Sequence, residues 1–493
     1  MRLTTLLLVM LAVGLGTPVA AAAEPCTELP CPADPAAVDR VLASAAEREW
    51  VEVLEIGRSA GGRPLRVVHV VGSAGKDPVW RLLLVGQQHG DEPAGKDALL
   101  HLIRRMSEDR AAVPPGLELW IVPVANPDGA AADRRRNDAA ADLNRDHLLL
   151  AQPETRALHQ LARDVRPHVI VDCHEFNRTS PDYRDRGWIE WPLIMMDTAN
   201  HPLLPDAVYR TGVDWIEAAA LTMAEAGIPY ARYTVGEAPP DGELRPSTLE
   251  ADDARNGLAL ATGALGFIIE SGIRQAAADP QADIARRVQA YLVLLERFFE
   301  DSDLRAESLA AVEEARSRRA PRFLPVNTLW GSVGVNVATV VVVDATTGAP
   351  LEVETPNLMD QRIVKHSVVT PPGYLVDAPA AETFRPLLAR HAIPYEVLPR
   401  EASRVAQQCV LERIEDTYDT VYNRYEGRQI VRCGEPSEMT FAAGSLMVQL
   451  DGPHWRSAAV LLEPMQLYGL YEHDEVRAMV AEDGTIPVYR LVE

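Results

Sequence analysis

Cysteine is scarce. Five in 493 residues allow at most two disulfides and leave one thiol over. Proximity in the chain pairs Cys26 with Cys31 and Cys409 with Cys433, and leaves Cys173, at the end of an apolar strand, as a buried and inert thiol. Cationic residues are also in deficit: 48 Lys and Arg stand against 71 Asp and Glu, a formal charge of −23. That balance excludes nucleic acid and anionic membrane as partners, although a local positive site can exist inside an acidic protein. Beyond the first two dozen residues no apolar run is long enough to cross a bilayer.

Those first residues form a pattern of their own. MRLTTLLLVMLAVGLGTPVAAAAE has a basic start, a short apolar stretch and an alanine-rich end, which predicts a signal peptide over 1–23 and an exported protein, periplasmic or extracellular. The remaining length predicts two domains. From 35 to 300, β-branched runs at 63–72, 80–86, 117–126, 167–173 and 264–270 alternate with amphipathic helical stretches. The expected fold is α/β, a mixed and mostly parallel sheet with helices on both faces. A charged helical connector is expected over 301–324, and then a smaller C-terminal α+β domain over 325–493. That domain should open with a hairpin turned at TTG and continue with a strand–helix–strand unit, GYLVDAPAAETFRPLLARHAIPYEVLP.

The chemistry gathers at strand ends. VGQQHGDEPAG places His89 and Glu92 three positions apart after the run RLLLV, and His174 and Glu270 each follow another apolar run. Ligands in open α/β sheets bind beyond the carboxyl ends of strands, so these residues can converge despite their separation in sequence. Two histidines and a glutamate would bind zinc and leave a fourth position open. Hydrolysis also needs a base, and Glu270, in GFIIESG, is suitably placed. Between the ligands lies RRRNDAAADLNRDH. Its Asn144 and Arg145 offer an amide beside a guanidinium, a pair suited to a carboxylate, and a further arginine can stabilise an oxyanion.

HGDE, NPDG, RRRN, DLNRD, DCHEF and IIESG, in this order, resemble the zinc metallocarboxypeptidases of the carboxypeptidase A and B type over residues 45–300. The resemblance implies one Zn2+ per chain on His89, Glu92 and His174. It makes Glu270 the general base and acid, Arg135 the residue that polarises the scissile carbonyl, and Asp142 the partner that orients His89. Asn144 and Arg145 would hold the substrate's terminal carboxylate. Counting back from Glu270 in the family's manner puts Arg255 at the base of the side-chain pocket, where it would favour an acidic or diaminopimelate-type end; the other reading makes it a surface helix residue that balances Asp252 and Asp253. The implied activity is hydrolysis of the C-terminal peptide bond, through a zinc-activated water, of peptides with a free C-terminus, cell-wall peptides among them.

Some features depart from the family. His147 stands where an aromatic residue is common, and is read as pocket lining or structural. No tyrosine lies on the loop that usually carries a substrate-capping one; Tyr230 and Tyr233 come earlier. Glu175 is a second carboxylate next to His174, either a site residue or the start of a loop. Two other functions share much of this pattern: an amidohydrolase of the aspartoacylase and succinylglutamate desuccinylase type, and a zinc-binding pseudoenzyme.

Overall fold

The computed structural model describes residues 31–75, 79–240, 242–273, 279–332, 337–355, 358–419, 424–467 and 469–492. The signal-peptide stretch and Cys26 therefore lie outside the described residues. The first unit contains strands β1 (Val51–Arg58), β2 (Pro64–Val71), β3 (Trp80–Gly86), β4 (Leu117–Val122), β5 (Val169–Asn177), β6 (Trp188–Glu190), β7 (Ile194–Thr198), β8 (Tyr230–Arg232), β9 (Thr234–Gly236), β10 (Leu244–Pro246) and β11 (Leu265–Ile273). Eight of these form one sheet in the order β1-β2-β4-β3-β5-β11-β7-β8. Its centre, β4-β3-β5-β11, is parallel, and antiparallel pairs join β1, β2 and β7 to it.

Alternation along the central strands divides the apolar side chains between two layers. Leu82 and Leu84 face a core shared with helices α1 (Pro35–Ala45) and α2 (Pro93–Glu108). Leu83 and Val85 face the other side of the sheet. After α3 (Pro127–Ala132) comes α4 (Pro153–Val165), which covers that second side through Leu158 and Ala162. Beyond α5 (Pro181–Asp185), α6 (Asp206–Glu225) joins the first layer, α7 (Ala254–Thr262) the second, and α8 (Pro280–Glu300) the first again. Both faces are thus covered, so the apolar runs of β3 and β5 need no polar side.

The charged stretch after residue 300 is helical, as α9 (Ser302–Ser317), but one face of it is not solvated. Ala311, Val312 and Ala315 are buried in the first core, and Trp215 Nε1 donates to Ser308 Oγ at 2.9 Å. The connector is a packed part of the first unit.

The C-terminal unit is a β-rich α+β arrangement. It opens with β12 (Phe323–Gly331), β13 (Ala338–Asp344), β14 (Pro350–Thr355) and β15 (Gln361–Val369). β13 and β14 form the hairpin expected at TTG, and β13 also pairs with β6 of the first unit. Next come β16 (Gly373–Val376), α10 (Ala381–Arg390) and β17 (Glu396–Val397), the expected strand–helix–strand unit. Cys409 and Cys433 form a disulfide, as their spacing predicted, and Cys173 is a free buried thiol whose pKa burial pushes well above the usual value. A shared core joins the units: Leu148, Leu203 and Ala259 of the first pack with Phe384, Trp455 and Leu462 of the second.

Candidate metal centre and active site

β3 runs to Gly86, and the chain then turns sharply through Gln87, which adopts a left-handed φ of 51°. Asn126 secures this turn. Its Nδ2 donates to Gln88 O at 3.0 Å and to Arg135 O at 3.1 Å, while its Oδ1 accepts from Gly129 N and caps α3. The segments HGDE and NPDG are therefore pressed together. A Cβ on Gly90 would meet Gly129 C at 2.0 Å, so glycine is required there. Gly95 does the same for α2, where a Cβ would meet Cys173 Cβ of β5 at 2.5 Å.

That packing brings His89, Glu92 and His174 together, all buried, with one donor atom from each lying within 4.8 Å of the others. His89 Nδ1 is 2.7 Å from Glu92 Oε1, and His174 Nδ1 is 2.9 Å from Glu92 Oε2. The two Nδ1 atoms are 3.0 Å apart. Two neutral imidazoles with bare nitrogens at that separation repel unless a cation lies between them. Ligands about 2.0–2.1 Å from a tetrahedral zinc stand roughly 3.3 Å apart, close to this spacing. The donor set and its spacing fit one zinc ion.

The outer faces of the rings are anchored by carboxylates. His89 Nε2 lies 3.1 Å from Asp142 Oδ1, and His174 Nε2 lies 2.7 Å from Asp172 Oδ2. This arrangement puts the proton on Nε2 and turns the Nδ1 lone pair inward. Burial opposes charge on His174, but Asp172 and Glu92 outweigh it and hold the imidazole pKa well above its usual value. Burial likewise opposes charge on Glu92, and His89 and His174 hold its carboxyl far below the usual range. The pocket favours a positive charge at its centre.

Glu270 stands beside His174 in the parallel β5–β11 register. Its carboxylate makes no hydrogen bond or ion pair among the described residues. Burial pushes its pKa up to about 7, against the lowering effect of His174. Arg135 reaches the same space. Its Nε donates to Asp142 Oδ2 at 2.9 Å, and one terminal nitrogen is 3.1 Å from His89 Nδ1.

Asn144 and Arg145 lie on a short turn capped by Asp142, whose Oδ1 accepts from Asn144 N at 3.1 Å. Asn144 Oδ1 accepts from Ala254 N at 2.9 Å, and its Nδ2 is 3.2 Å from His174 Nε2. That ring nitrogen already donates to the nearer Asp172, so it cannot also accept from the Asn144 amide. Arg145 donates to Asn144 O at 2.6 Å, and its Nε stands 3.8 Å from Asp252.

Other expectations meet a different environment. Arg255 is 1% exposed, at the start of α7, between Asp253 (2.8 Å) and Asp197 (3.3 Å), and it donates to Thr248 O at 2.7 Å. Its charge is met inside the protein, which removes the physical reason for giving it a selective role. Glu175 belongs to β5 and not to a loop; it is buried against Arg287 at 2.6 Å. Tyr230 donates to Ile216 O at 3.2 Å from within β8. His147 is 1% exposed and faces the interior.

Sequence reasoning missed Asp172 and Gln88, and it gave Asn126, the first residue of NPDG, no part of its own. Asp172 was within reach of it, because Asp172 and His174 are two apart on one strand and so share a face.

A family model described as zinc carboxypeptidase matches residues 40–179. Carboxypeptidase 2 of Trichophyton rubrum is 33% identical over 141 residues, 27% of this chain and 26% of that protein. Carboxypeptidase SOL1 of Arabidopsis thaliana is 34% identical over 138 residues, 24% of this chain and 28% of that protein. The chain thus spans about a quarter of the length of these curated relatives. A metallo-carboxypeptidase structure from Burkholderia cenocepacia aligns over 54% of this chain and 68% of that one, at 18% identity and a TM-score of 0.41. One from Pseudomonas aeruginosa, in complex with (2-guanidinoethylmercapto)succinic acid, aligns over 54% and 69% at 20% identity and the same TM-score of 0.41. Homology to the zinc carboxypeptidase family thus lies in the segment 40–179, which carries His89, Glu92 and His174.

Proposed function

We propose that the chain is a zinc-dependent carboxypeptidase that removes a C-terminal residue from peptides with a free carboxylate. The supporting observation is the facing pair of Nδ1 atoms, 3.0 Å apart on Glu92, each on a ring whose other nitrogen is held by a carboxylate. A zinc ion bound there supplies Lewis acidity toward a carbonyl and toward water. The chain's own residues do the rest.

In this reading Glu270 takes a proton from water at its unpaired carboxylate and returns it to the leaving amine. Arg135, held by Asp142, donates to the carbonyl oxygen as negative charge develops on it. The Asn144 amide, which His174 does not engage, joins Arg145 in binding the terminal carboxylate. Asp142 and Asp172 hold the two rings in the ligating tautomer. Arg255 is not the selector of the C-terminal side chain in this account, because Asp197 and Asp253 already match its charge.

The test is trimming of a peptide library by the purified protein, with and without a chelator, read by mass spectrometry. Release of single C-terminal residues that stops on chelation supports the proposal. Activity confined to N-acyl amino acids would assign the site to the amidohydrolase reading instead.

A further inference from the structure

A line of buried hydrogen bonds leaves the metal centre on the side away from Glu92. Asp172 Oδ2, which accepts from His174, also accepts from Gln88 Nε2 at 2.8 Å. Gln88 Oε1 lies 3.0 Å from His147 Nε2, and His147 Nδ1 lies 3.1 Å from His159 Nε2. Asp172, Gln88 and His159 are fully buried, and His147 nearly so.

The chemistry of the groups sets the direction of every bond. A carboxylate only accepts, so the Gln88 amide nitrogen must face Asp172 and its oxygen must face His147. An amide oxygen only accepts, so His147 carries its proton on Nε2. Burial holds the His147 pKa down at about 4, and that of His159 well below the usual value, so both rings are neutral. His147 Nδ1 is then bare and accepts from His159 Nε2–H. His159 Nδ1 ends the line, buried and without a partner among the described residues.

The surroundings hold His147 in place. His147 N donates to Asp252 O at 3.0 Å, and α7 approaches so closely that a Cβ on Gly257 would meet His147 Cβ at 2.7 Å. From the C-terminal unit, His391 Nε2 donates to Leu148 O at 2.8 Å and Arg390 to Leu149 O at 3.2 Å.

We propose that His147 is a positioning residue for the metal centre, acting through Gln88 and Asp172 to keep Nδ1 of His174 turned toward the metal. Its Nε2–H fixes the orientation of the Gln88 amide, and that amide holds the Asp172 oxygen on which His174 depends. Contact between His391 and the following residue makes the C-terminal unit part of this support. The inference rests on the zinc reading of the His89, Glu92 and His174 cluster.

Two variants separate the donor from the bulk of the ring. His147→Leu removes both nitrogens, whereas His147→Gln can present an N–H where Nε2 stood. Zinc affinity is measured on the full chain by competition with a chromogenic chelator, and folding by near-UV circular dichroism. The Leu variant should bind zinc about tenfold more weakly, the low end for a partner beyond the ligands, and the Gln variant should recover most of that loss. Unchanged affinity in folded His147→Leu overturns the proposal, as does an equal loss in both folded variants. Ring-nitrogen spectra of the 15N-histidine-labelled wild type give a readout that does not depend on zinc. His147 should be protonated at Nε2 and bare at Nδ1 near neutral pH, and the opposite tautomer overturns the proposal. A wild type that takes up no zinc refutes the functional reading, and the tautomer measurement then decides this one by itself.

Discussion

Arg255→Ala separates a buried structural arginine from a pocket residue. The wild-type guanidinium lies 2.8 Å from Asp253 and 3.3 Å from Asp197, and it also donates to Thr248 O at 2.7 Å. Removing one partner of a buried ion pair costs about 3–5 kcal/mol, chiefly because the surviving charge is left unmatched. Here the survivors keep other partners. Asp197 retains Arg232 at 2.9 Å, and Asp253 still accepts from Asn256 N at 2.7 Å. The loss should therefore lie near the lower end, about 3 kcal/mol, or about a hundredfold in the ratio of folded to unfolded protein. Urea unfolding followed by tryptophan fluorescence should show a lower midpoint at unchanged slope. Rates on peptides ending in Glu, Lys and Leu should keep their wild-type ratio. A variant that unfolds within about 0.5 kcal/mol of wild type, the range of an ordinary surface substitution, and loses a preference for Glu ends would refute the reasoning.

Glu270→Gln should retain zinc and lower the turnover number by about 10²–10⁴-fold, because an amide cannot take up the proton; near-normal turnover moves the base elsewhere. Asp172→Asn should weaken zinc binding by about 10–100-fold in chelator competition, and unchanged affinity would remove Asp172 from the support of His174. Amidated peptides should be poor substrates beside their free-acid counterparts, and equal cleavage of both would exclude recognition of a carboxylate. Acid should destabilise the fold through His391, whose folded pKa burial holds down at about 4, below the ordinary imidazole value of 6.5. Its contribution is complete above about pH 6.5 and is lost as pH falls toward 4, since the unfolded chain takes up the proton first. His391→Gln should flatten the stability curve in that window by about 1.4 kcal/mol per pH unit, and an unaltered slope would rule out a buried neutral ring.

The parts of this molecule that were legible in the sequence are those whose signal is local. The central strands show as apolar runs because both faces of β3, β5 and β11 are covered. β1 was not identified: VEVLEIGR alternates apolar and charged residues, as befits an edge strand with one face in water. The connector's charges concealed its small apolar face, which is mostly alanine and therefore weak in pattern. The pairing of β13 with β6 joins residues about 150 apart, and nothing local to either strand announces it. At the site the cluster of His89, Glu92 and His174 was legible through motif and order, whereas the fate of Arg255, on helix α7, depended also on Asp197, on strand β7. Counting positions can place a side chain near a pocket, but cannot show which charge has already met it.

The most direct test of the central claim is zinc titration of chelator-stripped protein with a free-acid peptide present, metal content and trimming being measured on the same samples. One equivalent of zinc should restore release of single C-terminal residues, and His174→Ala should neither hold the metal nor regain activity. Trimming that persists in the stripped protein, or a His174→Ala variant with full zinc content, would contradict it.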